Sequence, residues 1–236
     1  MIKMKHYWIL LIFVLSLQAC KKDEPAEPID LGYNYFPLKV GSELIYQVDS
    51  IGWLGYTYNN TVIPHTVEID TLHFEIKEIV ERFFTDNEGR NTARIERYKR
   101  MTPADPWVLY KVVTANITST AAERNEDNFR YIKLVFPPVV NEKWNGHSPT
   151  ILTPWEYTYE SVAEPASIGP LAFDSTLTVL QNEDINLITY SFYIEKYAAG
   201  VGLIYKEYND YEYESLSSSM IKDGFIYKET LISYTP

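Results

Sequence analysis

The sequence predicts an all-β domain, with antiparallel strands in a sheet or sheets curved into a barrel or sandwich. Three observations carry that expectation. The 236 residues include 20 Tyr and 10 Phe within a 46% hydrophobic composition, and aromatic and branched side chains suit a pleated, half-buried surface. Apolar and polar residues alternate over several short runs, as strands with one wetter face require. Turn clusters of Pro, Gly, Asn and Asp interrupt those runs roughly every 10 to 15 residues, with no convincing long helix between them.

Lys3 and Lys5 precede an apolar run from Trp8 to Leu17, the charge and length pattern of an export signal. A spanning helix needs roughly 20 apolar residues, and this run stops short of that before Lys21, Lys22, Asp23 and Glu24. Leu17-Gln18-Ala19-Cys20 resembles the lipobox of bacterial lipoproteins, which implies cleavage before Cys20 and lipidation of its thiol. Cys20 is the only cysteine, so no internal disulfide competes for it. Each buried CH₂ contributes about 0.8 kcal/mol, and two or more acyl chains would hold the protein stably. The expected organisation is a signal peptide at 1–19, a lipidated tether at 20–34 kept extended by Pro25 and Pro28, and one antiparallel β domain at 35–236. Lys22-Asp23-Glu24 resembles the short signal that sends Bacteroidota lipoproteins to the outer face of the outer membrane.

Within the domain, Leu44, Tyr46 and Val48 share one strand face and Ile45, Gln47 and Asp49 the other. Thr66 to Phe84 fits helical spacing nearly as well as strand spacing. The turn cluster Thr85-Asp86-Asn87-Glu88-Gly89-Arg90 and the second apolar set Ala93, Ile95 and Tyr98 decide for a long hairpin, with a bulge expected near Asp70. Ile188, Tyr190, Phe192 and Ile194 form the apolar face of a later strand, and Phe225, Tyr227 and Leu231 that of the last. Glu164-Pro165, Asn182 to Asp184, Asn209-Asp210 and Asp223-Gly224 read as turns.

Phe36-Pro37-Leu38-Lys39-Val40-Gly41-Ser42-Glu43-Leu44 echoes Phe136-Pro137-Pro138-Val139-Val140-Asn141-Glu142-Lys143-Trp144, which predicts two related half-sheets. The stretch Tyr35 to Gly41, Ile45-Tyr46, the segment Arg94 to Tyr98 and Gly200-Val201-Gly202-Leu203-Ile204-Tyr205 together resemble a pattern found in Bacteroidota lipoproteins to which no catalytic residues are assigned. Leu44 departs from it, standing where that pattern has Trp.

A formal charge of −11, from 21 basic and 32 acidic side chains, argues against nucleic acid as a partner. It also opposes electrostatic attachment to anionic lipid, so the membrane contact has to be the covalent lipid at Cys20. No Gly-x-Ser-x-Gly elbow is present. His65, His73 and His147 remain after the signal is removed, and His73-x-Glu75 puts two ligand types on one strand face without the further ligands zinc requires. Asp86 to Gly89 and Asn125 to Asn128 read as turns, not calcium loops. No cofactor, metal or catalytic residue is therefore expected.

Tyr205, Tyr208, Tyr211 and Tyr213 form the densest aromatic cluster and are the expected ligand contacts. The expectation is a non-enzymatic, lipid-anchored protein at the outer-membrane surface that binds a glycan, peptide or envelope protein. Two alternatives stand beside it: a hydrolase of envelope or extracellular polymers with a dispersed carboxylate pair, and a periplasm-facing carrier with a large apolar cavity. The lipid assignment predicts that acyl label incorporated by the wild type is lost from Cys20→Ala; label retained by that variant would refute it.

Overall fold

The computed structural model describes residues 30–54, 57–58, 61–62, 68–148, 150–216 and 219–236. The export signal, Cys20, Lys22-Asp23-Glu24 and His65 lie outside the described residues. Leu31–Pro236 forms one compact unit. Its strands are β1 (Glu43–Leu54), β2 (Thr57–Tyr58), β3 (Thr61–Val62), β4 (Glu68–Thr85), β5 (Asn91–Arg100), β6 (Val108–Ile117) and β7 (Ala121–Glu126). There follow β8 (Phe129–Val135), β9 (Lys143–Asn145), β10 (Glu156–Ile168), β11 (Leu171–Ile185), β12 (Thr189–Ala198), β13 (Gly202–Tyr213) and β14 (Ile221–Thr235).

β2 and β3 pair as a separate ribbon, and the other strands form one 12-stranded antiparallel sheet in the order β8-β7-β6-β5-β4-β1-β14-β13-β12-β11-β10-β9. The sheet curls into a nearly closed barrel until β8 meets the β9 end. There the Ile132 amide donates to the Gly146 carbonyl at 2.9 Å, the Trp144 indole N–H donates to the Ile132 carbonyl at 3.0 Å, and the Tyr159 hydroxyl donates to the Val135 carbonyl at 2.7 Å. These contacts cover part of the two sheet edges, which in an open antiparallel sheet are sites of aggregation.

The order resolves into two meanders of equal strand number, β1 with β4 to β8 and β9 to β14, and the repeated sequence opens each one. Gly41 (φ 86°) and Asn141 (φ 67°) occupy matching left-handed turns. Ser42 N–H donates to the Lys39 carbonyl at 3.0 Å as Glu142 N–H does to the Val139 carbonyl at 3.0 Å. Gly41 N–H reaches the Val80 carbonyl at 2.9 Å as Asn141 N–H reaches the Tyr159 carbonyl at 2.9 Å. Phe36 and Phe136 both enter one buried cluster, with Ile95, Val113, Leu134, Tyr159, Leu177 and Val179. Burying each such aliphatic side chain contributes about 1.5–3 kcal/mol.

A 3-10 turn at Tyr33–Tyr35 closes the same end of the barrel. Gly200 N–H donates to the Asn34 carbonyl at 2.8 Å, the Tyr35 hydroxyl bonds Ser175 Oγ at 2.7 Å, and the Tyr33 ring meets Phe136 edge-on at 4.8 Å. A second cluster of Tyr46, Phe173, Ala198, Ile204 and Leu231 forms where the β10–β11 hairpin meets β1, β13 and β14.

Several local expectations need correction. The β4 bulge lies between Val80 and Arg82, opposite β5, while the β1–β4 register runs unbroken past Asp70. Asn209-Asp210 and Asp223-Gly224 are paired within β13 and β14, and Glu164-Pro165 is absorbed by register shifts inside β10. Asn182 to Asp184 likewise lie in β11. The barrel needs long, strongly bent strands, and residues that usually end a strand serve here as bend points or as side-chain bonding positions.

The turn geometry yields a stability prediction. Gly41→Val and Asn141→Val should each destabilise the domain by about 1–3 kcal/mol, because a branched residue is strained at positive φ. Asn141→Gly should be close to neutral. Chemical denaturation of the three variants checks both statements.

Candidate functional site

The interior of the barrel is polar at its middle. β12 turns Ser191, Tyr193, Glu195 and Tyr197 inward, and these are buried. Of the expected apolar set Ile188, Tyr190, Phe192 and Ile194, the three within the strand take the other face, where Ile194 is nonetheless buried. The Glu195 and Lys206 backbones are paired across β12 and β13, and Lys206 and Glu229 across β13 and β14. On the other half, the Glu78 and Arg97 backbones are paired across β4 and β5.

Four cations meet four carboxylates in this layer. Arg97 Nε lies 2.8 Å from Glu78, and its Nη2 contacts Glu229. Arg124 grips Glu78 with two N–H groups at 2.5 and 3.1 Å and also contacts Glu126. Lys133 Nζ donates to Glu195 at 2.8 Å. Lys206 Nζ stands 3.7 Å from both Glu195 and Glu229. Tyr197 donates to Glu195 at 2.5 Å, Tyr227 donates to Glu229 at 2.7 Å, and Tyr208 also donates to Glu195.

A Tyr two residues from a Glu on the same strand face recurs at Tyr197 and Glu195, Tyr227 and Glu229, Tyr98 and Glu96, and Tyr205 and Glu207. Period-two geometry places the phenol beside the carboxylate.

Burial alone would raise the Glu195 carboxyl, but Lys133 and Lys206 outweigh it and hold the group down at about 2. Burial opposes Arg97 and Lys206 at Glu229 in the same way, and that carboxyl is also held at about 2. Burial followed by the Glu195 charge pushes the Tyr208 hydroxyl well up, so it acts as a donor, not as a base.

The four expected contact tyrosines separate. Tyr208 faces inward, and its ring centroid lies 4.6 Å from that of Tyr193. Tyr205 faces outward and donates to Glu207 at 2.6 Å. Tyr211 and Tyr213 also face outward, 5.6 Å apart edge to face. The outward pair joins Tyr190, which the sequence placed only on an apolar strand face, and Trp53, which it left out. Tyr190 stacks on Tyr211 at 4.9 Å with an interplanar angle of 2°, and the Trp53 ring lies 6.1 Å from Tyr211.

Backbone register shows why these rings meet. Trp53, Gly224, Tyr211 and Tyr190 are successive cross-strand partners on β1, β14, β13 and β12. Gly224 leaves a gap in that row, and a Cβ there would stand 2.6 Å from the Tyr211 Cβ and 2.1 Å from the Asp210 carbonyl oxygen. The next row, Ile51, Ile226, Asn209 and Phe192, continues the patch. An ion pair flanks it on the same face, Glu207 with Lys228 at 3.1 Å. Burial and then the Tyr213 hydroxyl push the Tyr211 hydroxyl up to about 12, so it remains a neutral donor and acceptor.

The remaining sequence candidates have other partners. His73 Nδ1 lies 2.6 Å from Asp49 on the exposed side of β1 and β4, and Glu75 bonds Arg100 at 2.5 Å. His147 Nδ1 bonds the Thr153 carbonyl at 2.6 Å, and its ring stacks on Trp155 at 4.9 Å. Among the described residues, no group of three or more His, Cys, Asp or Glu is placed to hold a metal ion. No protein-family model matches the chain, and no curated protein matches it.

The buried carboxylates give the acid limit of the fold its sign. A carboxyl held below its ordinary value stabilises the folded state above that value, and the contribution disappears as pH falls through the folded-state value. For Glu195 and Glu229 the window runs from about pH 4.5 down to about pH 2. Near-ultraviolet circular dichroism should show tertiary structure being lost across it; a signal unchanged down to pH 2 would contradict the buried ionised layer.

Proposed function

We propose that this protein is a lipid-anchored envelope protein, displayed at the outer-membrane surface, whose β-barrel binds glycan without chemically altering it. The observation that carries the binding assignment is the outer row Trp53, Tyr211 and Tyr190, with Tyr213 beside it. Flat aromatic faces suit the C–H faces of sugar rings, while phenol tips and nearby charged groups suit sugar hydroxyls. The row stands on central strands of a nearly closed sheet, so its rings are held in place by packing and need little ordering on binding.

Covalent attachment is supported by the charge distribution on the outside of the barrel. Lys77 pairs with Glu43 at 3.7 Å, Arg94 with Glu81 at 2.9 Å, and Glu207 with Lys228 at 3.1 Å. These pairs project from the strand faces that a spanning barrel would clothe with an apolar band about 25 Å tall. Together with the lipobox-like sequence, they favour a water-exposed barrel tethered by lipid at Cys20. The carrier alternative requires a large apolar cavity, whereas the middle of this barrel is filled by paired charges.

A panel of envelope and extracellular polysaccharides tests the reading, with affinity and polymer chain length measured together. The wild type should bind at least one polysaccharide and leave its chain length unchanged. Tyr211→Ala should weaken that binding by about 1–3 kcal/mol, the range for a central aromatic contact, with little change in folding stability. Binding that survives in Tyr211→Ala and Tyr190→Ala alike would overturn the assignment of the site, and shortened polymer would convert the reading to hydrolase.

A further inference from the structure

The inward side of β13 carries a feature that the outer aromatic row does not explain. Lys206 is 5% exposed, yet its ammonium lies 3.7 Å from Glu195 and 3.7 Å from Glu229, beyond hydrogen-bond reach. The Tyr208 ring lies 5.1 Å away, and Lys206 also bears on Glu126, whose carboxyl burial would raise but Lys206 and then Arg124 hold well down. An ammonium has three donors, and beside this one Arg97 Nε and Glu229 Oε2 are buried without a hydrogen-bond partner. Two of the neighbouring cations are bonded more fully: Lys133 donates to Glu195 at 2.8 Å and Arg124 donates to Glu78 through two N–H groups.

Lys206 lines a cavity of about 110 Å³. Glu78, Arg124, Glu126, Lys133 and Glu195 share its charged end, while Leu38, Leu44, Val201 and Leu203 line the apolar remainder. A cavity of about 150 Å³ lined by apolar side chains can take a benzene-sized molecule. The space here thus suits a compact body of comparable or smaller size, well below the roughly 300–1,000 Å³ of drug-sized sites. A long acyl chain does not fit that scale.

The charge of the occupant follows from the layer beneath it. Four cations already face four carboxylates, and an added buried charge without a partner would cost several kcal/mol. An occupant neutral overall avoids that cost. A carbonyl or zwitterionic carboxylate oxygen can accept from Lys206, and an N–H or ammonium can donate toward Glu126 or Glu195.

We propose that this cavity is a binding site for a compact small molecule of zero net charge, with an oxygen acceptor directed at Lys206 and a branched apolar body between Leu44, Val201 and Leu203. The site is separate from the glycan row, since Lys206 and Tyr211 project from opposite faces of β13.

Four branched probes of similar size test the proposal by calorimetry on the full exported protein: isovaleramide, leucine, isovalerate and isopentylamine. The uncharged amide or the zwitterion should bind at least about tenfold more tightly than either singly charged probe. Val201→Trp, which narrows the apolar end and leaves the charges untouched, should abolish that binding while glycan affinity is retained. Lys206→Met should weaken it about tenfold or more, provided the variant folds. The proposal is overturned if none of the four probes binds the wild type, if the charged probes bind as well as the neutral ones, or if Val201→Trp leaves binding intact.

Discussion

The structure depends on electrical neutrality inside a barrel too wide to be filled by apolar side chains alone. An eight-stranded barrel is just wide enough for its side chains to fill, and this sheet has twelve strands. Long side chains span the extra width. Lys133 on β8 reaches Glu195 on β12, and Arg97 on β5 reaches Glu229 on β14. Each ion gives up hydration worth several kcal/mol, and only pairing with additional hydrogen bonds offsets that cost. The tyrosines donating to Glu195 and Glu229 supply such bonds. Removing one partner would leave an uncompensated charge, whereas exchanging a whole pair for apolar groups would leave width to fill.

That constraint also distinguishes two halves built on one plan. Their opening turns match bond for bond, but their contributions to the layer do not. The first half supplies Arg97, Arg124 and Lys133 with Glu78 and Glu126; the second supplies Lys206 with Glu195 and Glu229. The first therefore carries an excess cation and the second an excess carboxylate. Pairs that cross between them, Lys133 with Glu195 and Arg97 with Glu229, make opposite halves better partners than like halves. Charge complementarity of this kind acts by penalising the wrong pairing as much as by rewarding the right one.

Much of the architecture was legible in the sequence because it rests on local rules. Alternation placed Tyr46 and Val48 on a common face, the Asp86 to Arg90 cluster fixed the β4–β5 turn, and the repeated Phe-Pro segment marked the two meanders. What escaped was sidedness. On β12 alternation alone misleads, because the charged Glu195 sits between the inward Tyr193 and Tyr197, while Phe192 and a largely buried Ile194 take the other face. The same inversion sends Tyr208 inside while Tyr205, Tyr211 and Tyr213 remain outside. One local signal for it was present: Tyr193-x-Glu195-x-Tyr197 and Tyr227-x-Glu229-x-Leu231 each set a carboxylate between two large residues of its own face, an unfavourable place for a charge unless that face holds its counter-ion. The partners themselves, Lys133 and Arg97, lie far away in sequence and could be assigned only by the fold. The outer row was equally non-local, since Trp53, Tyr211 and Tyr190 meet across four strands, one of which contributes only a glycine.

β13 ties the inner and outer features to one another. Lys206 and Tyr208 point into the barrel, and Glu207 and Tyr211 point out. A slip of one residue in strand register exchanges the two faces of a strand. Such a slip on β13 would bring Glu207 toward Glu195 and Glu229 while removing Lys206, and would turn the Tyr211 ring away from Trp53 and Tyr190. The charge layer strongly disfavours that arrangement. The same ion pairs that keep the interior neutral thereby fix which tyrosines stand outside, and the geometry of the outer aromatic row is set by electrostatics on the opposite side of the sheet.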